Sequence, residues 1–251
     1  MAVVGIIPAR LASTRFPRKL LAHDTGHPLV RHVYDAAAAA PMLDRVVIAT
    51  EDEEIASAVR SFGGEAVMTG EHPNGTSRLA EAAERLGLAD SDIVVNIQGD
   101  EPELDPGAIG AAVRSLGAAE AADRQVGTVA APLAFPEEFS DPNVVKVVTD
   151  LNGRALLFSR APIPNPREGR HESGAEPLRH VGLYSYTVGF LARYVTLEET
   201  PLERTERLEQ LRVLEHGYAI GVERISHAHA GIDTPEQYSA FVARWRSGQG
   251  S

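Results

Sequence analysis

The sequence predicts an α/β fold: a mostly parallel sheet with helices on both faces, followed by a smaller β-rich block. Two patterns carry this. From residue 3 to residue 132, short apolar runs alternate with stretches of helical periodicity, as in repeated β–α units. From 144 to 186, strand-like segments follow one another with no long helix between them. A chain of 251 residues, 43% apolar and 24% charged, is long enough to bury a sizeable core.

In order, VVGII (3–7) is a continuous apolar run, as in a strand buried on both faces. Residues 28–40 read as a helix with Pro28 in its first turn and Leu29, Val33, Ala36, Ala37 and Ala40 on one face. VVIAT (46–50) is a strand, and 52–62 a helix closed by Gly63 and Gly64. EAVMT (65–69) is a third strand, followed by helix 76–86 with Leu79, Ala82, Ala83 and Leu86 along one side. DIVVNI (92–97) is a fourth strand, helix 106–116 runs from Pro106 to Gly117, and VGTVAAP (126–132) is a fifth strand. VVKVVT (144–149), ALLFS (155–159) and HVGLYSY (180–186) make the β-rich block, interrupted by a polar loop from Asn165 to Pro177. A helix over 203–216 precedes a strand at 219–225. The last helix starts at Pro235 and carries Tyr238, Phe241, Val242 and Trp245 at helical spacing. The alanine runs at 36–40 and 118–122 read as helical. The expectation is a single domain over 1–251, with a β-rich subdomain at about 126–186.

No run approaches the roughly 20 apolar residues of a membrane-spanning helix. The N-terminal segment lacks the basic start and cleavage site of a signal peptide, so the reading is cytoplasmic. There is no cysteine, which excludes disulfides, thiolate nucleophiles and cysteine-ligated metals. A net charge of −11 disfavours nucleic acid as a partner. Of 24 basic side chains only Lys19 and Lys146 are lysines, which invites a functional explanation for each.

In a parallel α/β sheet, ligands bind at the carboxyl ends of the strands. That rule selects three segments. The loop after the first strand, Pro8 to Lys19, holds Arg10, Arg15, Arg18 and Lys19 with Ser13 and Thr14 and no acid, a polyanion site in an acidic protein. It has neither the P-loop spacing nor a GxGxxG fingerprint. After the fourth strand comes Gln98-Gly99-Asp100-Glu101-Pro102, whose carboxylates are hard oxygen ligands suited to Mg2+ or, alternatively, helix-capping acids. The third segment, Gly231-Ile232-Asp233-Thr234-Pro235, offers Asp233 either as a helix cap or as a second Mg2+ ligand beside Asp100. The nine histidines show no HExxH spacing and read mostly as surface residues, and no serine sits in a nucleophile elbow. A triphosphate loop with one or two acidic metal ligands points to nucleotidyl transfer.

Eight pieces, IIPARLASTRFPRKLL, MTGEHPNGTSRLAE, VVNIQGDEP, NVVKVV, LFSRAPIP, RHVGLYSY, LEQLRVLEHG and GIDTPE, together resemble the CMP-KDO synthetase (3-deoxy-manno-octulosonate cytidylyltransferase) family, in its order and over nearly the whole chain. The resemblance implies a Rossmann-like, mostly parallel sheet of the nucleotide-diphospho-sugar transferase type, a homodimer, and a place in lipopolysaccharide and nucleotide-sugar biosynthesis. It implies that CTP and a 2-keto-3-deoxy sugar acid give the CMP-sugar and pyrophosphate. Carried over by position, Arg10, Ser13, Arg15 and Lys19 hold the triphosphate, and Arg78 lies near the cytosine. Asp100 and Asp233 bind Mg2+, with Lys19 and Asp100 central to catalysis. Gln98, Arg160, His180, Tyr184, Glu209 and Gln210 line the sugar-acid site.

Two departures stand out: Arg18 replaces the family's usual glycine, and the stretch through Arg167 to His171 differs from its common form. The alternatives are a cytidylyltransferase for another keto-sugar acid or a specialised-pathway acid, and a non-catalytic nucleotide-binding protein. A glycosyltransferase is weaker, because Asp90-Ser91-Asp92 precedes its strand. The β-rich block is the expected dimer face.

Overall fold

The computed structural model describes residues 1–13, 15–117, 124–166, 176–228 and 231–248. The chain divides into two compact units: Met1–Gly110 with Thr187–Leu191 and His229–Ser251, and Ala111–Tyr186 with Ala192–Ala228.

The first unit is the β–α repeat. Strands β1 (Val3–Ala9), β2 (Arg45–Thr50), β3 (Ala66–Met68) and β4 (Ile93–Asn96) pair in the order β3-β2-β1-β4, all parallel. The continuous apolar runs are explained by burial on both faces: Ile6, Ile7, Val47, Ile48, Val94 and Val95 are fully enclosed. Helices α1 (Leu29–Ala38), α2 (Glu53–Ser61) and α3 (Gly75–Arg85) contribute buried stripes led by Leu29, Val33, Ile55, Val59 and Leu79. Helix α4 (Pro106–Ser115) follows β4, and α8 (Pro235–Arg246) ends the fold. Leu29, Ile232, Tyr238, Phe241 and Val242 form an apolar cluster with Phe16 and Trp245 against it. That cluster seats two loops at once, because Phe16 belongs to the segment after β1 and Ile232 to the segment before α8.

The second unit holds β5 (Arg124–Pro132), β6 (Lys146–Thr149), β7 (Ala155–Ser159), β8 (Leu178–Thr187) and β9 (Ala219–Arg224). The antiparallel pairs β5–β8, β6–β7 and β6–β8 bear out the expected change of pattern, and β5–β9 is parallel. The segment expected as one helix over 203–216 is two, α6 (Pro201–Glu206) and α7 (Gln210–Glu215). Arg207 between them takes φ 56°, a left-handed backbone that ends a helix, and no glycine marks it in the sequence. A short helix, α5 (Val188–Tyr194), has no counterpart in the sequence pattern. The alanine run at 118–122 and most of the polar loop at 165–177 lie outside the described residues. The expectation of mostly superficial histidines holds among the described residues, with His32 the exception. It is buried, edge-on to Phe241 and Trp245, where desolvation lowers its pKa. No helix among the described residues is long and apolar enough to cross a membrane.

Gly127 of β5 and Gly221 of β9 are paired across the sheet beneath the end of α4. A Cβ on Gly221 would lie 1.7 Å from the Ser115 carbonyl oxygen, and one on Gly127 2.4 Å from that of Ala112. Helix backbone therefore rests on sheet backbone, which only glycine permits. Gly221→Ala is expected to cost about 3 kcal/mol or more, read from chemical denaturation, because neither backbone can yield cheaply. A cost below about 1 kcal/mol would show that the helix end shifts freely.

Candidate active site

The carboxyl ends of β1 and β4 open into a cavity of about 620 Å3 in the first unit. Arg10, Ser13, Arg15, Lys19, Arg78, Gln98, Asp100 and Asp233 all line it, so the first unit collects every nucleotide and metal candidate. Gln98, expected among the sugar-acid residues, shares this cavity with the cationic loop.

Lys19 is its centre. Its Nζ donates to Asp100 Oδ2 at 2.6 Å and to the Ile232 carbonyl at 2.8 Å, and reaches Asp233 Oδ1 at 3.4 Å. Arg15 pairs with the other oxygen of Asp233 at 2.9 Å. The Lys19 side chain is only 12% exposed, whereas Asp100, Asp233 and Arg15 keep more of their surface open to solvent. The backbone packs closely there: a Cβ on Gly99 would stand 3.0 Å from the Pro8 carbonyl oxygen.

Both capping alternatives are resolved. Thr234 caps α8, accepting from the Gln237 N–H, and the Asp105 carboxylate accepts from the Gly107 N–H before α4. Asp233 and Asp100 are thereby left to the cavity. Two carboxylates at one point, with no group of three histidine or acidic ligands among the described residues, form an incomplete cage. That donor set fits Mg2+, which keeps waters and shares substrate phosphate oxygens.

The loop after β1 is held from its far side by the start of α2, a segment the sequence pattern did not single out. Asp52, the N-cap residue of α2, makes no capping bond; its Oδ2 accepts from the Leu11 N–H at 2.8 Å. Leu11 in turn accepts from the Arg18 N–H at 3.2 Å, and the Phe16 ring lies 5.5 Å from that of Tyr238. The neighbouring Glu51 pairs with Arg78, whose Nη1 also donates to Thr69 Oγ1 at 2.7 Å. One acidic segment at the end of β2 thus orients both the loop after β1 and Arg78. The strand-end rule that selected the other segments applies equally to this one.

The second unit holds the rest. A bulge in β8 opposite Thr128 and Val129 brings the His180 and Tyr184 rings to 5.2 Å, with Phe158 edge-on to His180 at 5.0 Å. Thr128 Oγ1 donates to the Leu183 carbonyl at 2.7 Å, so it accepts from His180 Nε2 at 2.9 Å. Burial pushes the His180 pKa down to about 3, which keeps the ring neutral with its Nε2–H directed at Thr128. Burial raises the Tyr184 hydroxyl well above its ordinary value, with the nearby charge of Glu209 adding to the shift. Glu209 and Gln210 open α7, Gln210 buried and Glu209 exposed. Arg160 follows β7 and is tied by its guanidinium to the carbonyls of Glu206 and Pro142.

These are the parts a nucleotidyltransferase needs: cations for a triphosphate, and acids beside the point of charge transfer. The chain belongs to the cytidylyltransferase family, whose model matches residues 4–225. It is 49% identical to the 3-deoxy-manno-octulosonate cytidylyltransferase of Syntrophotalea carbinolica, over 98% of this chain and 99% of that one. It is 49% identical to the protein of the same name from Syntrophobacter fumaroxidans, over 96% of each. A solved structure of CMP:2-keto-3-deoxy-manno-octonic acid synthetase complexed with CTP superposes with TM-score 0.90 at 35% identity, covering 99% of this chain and all of that one.

Arg18 takes φ 59°, a left-handed conformation that favours glycine, and its guanidinium pairs with Glu54. Arg18→Gly removes about 1 kcal/mol of backbone strain and one exposed ion pair worth about 0–1 kcal/mol. Thermal unfolding is expected to stay level or rise. A clear drop would show that the Arg18–Glu54 pair holds the loop.

Proposed function

We propose that the protein transfers CMP from CTP to the anomeric hydroxyl of 3-deoxy-manno-octulosonate (KDO), giving CMP-KDO and pyrophosphate. The observation that carries this is the Lys19 contact with Asp100 and Asp233 at the mouth of a cation-lined cavity. Nearly full-length relatives that bear this activity in their names support the same reading.

In this reading Arg10, Ser13, Arg15 and Lys19 take the triphosphate. Arginine forks suit its oxygens, and the lysine supplies a point charge where pyrophosphate leaves. Arg78, fixed by Glu51 and Thr69, stands on the cytosine side with the Ala9–Arg10 backbone. Asp100 and Asp233 would hold Mg2+, which when bound polarises the α-phosphate. Arg160 meets the carboxylate of the sugar acid, and neutral His180, Tyr184, Glu209 and Gln210 complete that recognition. The acceptor oxygen forms its bond to the α-phosphorus, the bond to the β-phosphate oxygen breaks, and the acceptor proton is released. Homodimerisation and a cytoplasmic setting, where CTP is available, belong to the same proposal.

The test is pyrophosphate release with CTP, Mg2+ and KDO beside other keto-sugar acids, with ATP, GTP and UTP as nucleotide controls. CTP with KDO is the expected pair. Asp100→Asn is expected to lower turnover by about a hundredfold or more in a variant that remains folded, its amide oxygen still able to accept from Lys19 Nζ. Normal specific activity in the folded fraction of Asp100→Asn would make that residue structural. Turnover with a different acid alone would replace KDO. CTP binding with no turnover on any acid would favour the non-catalytic reading.

A further inference from the structure

The fully buried Lys146, for which the sequence suggests no role, makes no hydrogen bond or ion pair with a carboxylate among the described residues. Its Nζ donates to three main-chain carbonyls, of Asp141 at 2.9 Å, Val144 at 2.6 Å and Arg160 at 2.7 Å. Lys146 and Ser159 are partners across the antiparallel β6–β7 pair, which brings the carbonyl of residue 160 within reach. The turn that supplies the other two carbonyls also contains Pro142, whose carbonyl accepts from Arg160 Nη1 at 2.8 Å. One ammonium therefore fixes both the backbone that carries Arg160 and the backbone that receives its guanidinium.

We propose that Lys146 is a positioning residue for Arg160, setting the guanidinium that meets the carboxylate of the sugar acid. This rests on the role proposed above for Arg160. From the opposite side Glu206 completes the setting. Its Oε2 accepts from the Arg160 N–H at 3.0 Å, its Oε1 from Ser159 Oγ at 2.6 Å, and its carbonyl from Arg160 Nε at 2.7 Å. Nε and one Nη1 hydrogen are thus committed, and Nη2 reaches the Arg207 carbonyl only at 3.5 Å. Of the five guanidinium hydrogens, one on Nη1 and one on Nη2 have no partner in these contacts and are left to grip a carboxylate end-on. Three carbonyls converging on a point suit a compact ammonium with three donors, and a planar fork cannot serve them. Without it, three partly buried carbonyls would lose a donor and the turn would relax.

The experiment measures KM for KDO and for CTP, with the thermal midpoint, in wild type, Lys146→Met, Arg160→Met and the double variant. Lys146→Met is expected to raise the KDO KM roughly tenfold and to leave the CTP KM within about twofold. Combined with Arg160→Met it is expected to add less than about twofold to the KDO KM, because its effect runs through that guanidinium. An unchanged KDO KM, equal rises in both KM values, or a full additional factor in the double variant would overturn the inference. A normal KDO KM in Arg160→Met would instead remove the assignment on which it rests. If Lys146→Met yields no folded protein, Lys146→Arg is read in the same way. A rise of about threefold or more in the KDO KM alone supports the inference, and wild-type values for both substrates overturn it.

Discussion

The Lys19 ammonium is the contact on which the candidate site depends. Asp100 and the adjacent Ile232 and Asp233 come from two segments more than a hundred residues apart, and their oxygens meet at one nitrogen. Two carboxylates in so small a space repel each other unless a cation lies between them. Each segment arrives there for its own reason. Ile232 is sunk in the apolar cluster beneath α8, Gly99 lets its strand end press against Pro8, and Phe16 packs on Tyr238 just before the lysine. Apolar packing thus fixes the positions, and the lysine makes the resulting charge arrangement tolerable.

The same physics explains why two lysines stand in a chain otherwise built with arginine. Lys19 and Lys146 each serve oxygens that converge from several directions on a single point. A guanidinium spreads its donors in a plane and suits oxygens lying side by side, as in the Arg212–Glu203 pair, where Nε and Nη2 each meet a carboxylate oxygen. The two lysines differ in what they gather. Lys19 joins carboxylates and stays partly accessible from the cavity, whereas Lys146 joins neutral carbonyls and is closed off, with burial lowering its pKa.

The strand-end rule and the residue types make the first unit legible in the sequence alone. The cationic loop, Asp100 and Asp233 all follow from where apolar runs stop, and they line one cavity. What stays hidden depends on contacts that have no local signal. Asp52 looks like an ordinary helix cap, and only the fold puts its carboxylate on the Leu11 N–H. Arg207 breaks a helix with a left-handed backbone in a stretch with no glycine. Lys146 has no sequence signature at all, because its carbonyl partners are set by the β6–β7 register and the turn that leads into β6. The departure at Arg18 concerns backbone conformation and a contact with α2.

The central claim is that Lys19 is the shared contact of the paired carboxylates and the triphosphate. Calorimetric titration of CTP into wild type and Lys19→Met, with Mg2+ and no acceptor, tests it most directly. The account expects the affinity for CTP to fall about tenfold or more, the worth of one charge-assisted hydrogen bond, in a variant that remains folded. An unchanged CTP affinity in folded Lys19→Met would contradict it and leave Lys19 as a structural tie between two acids.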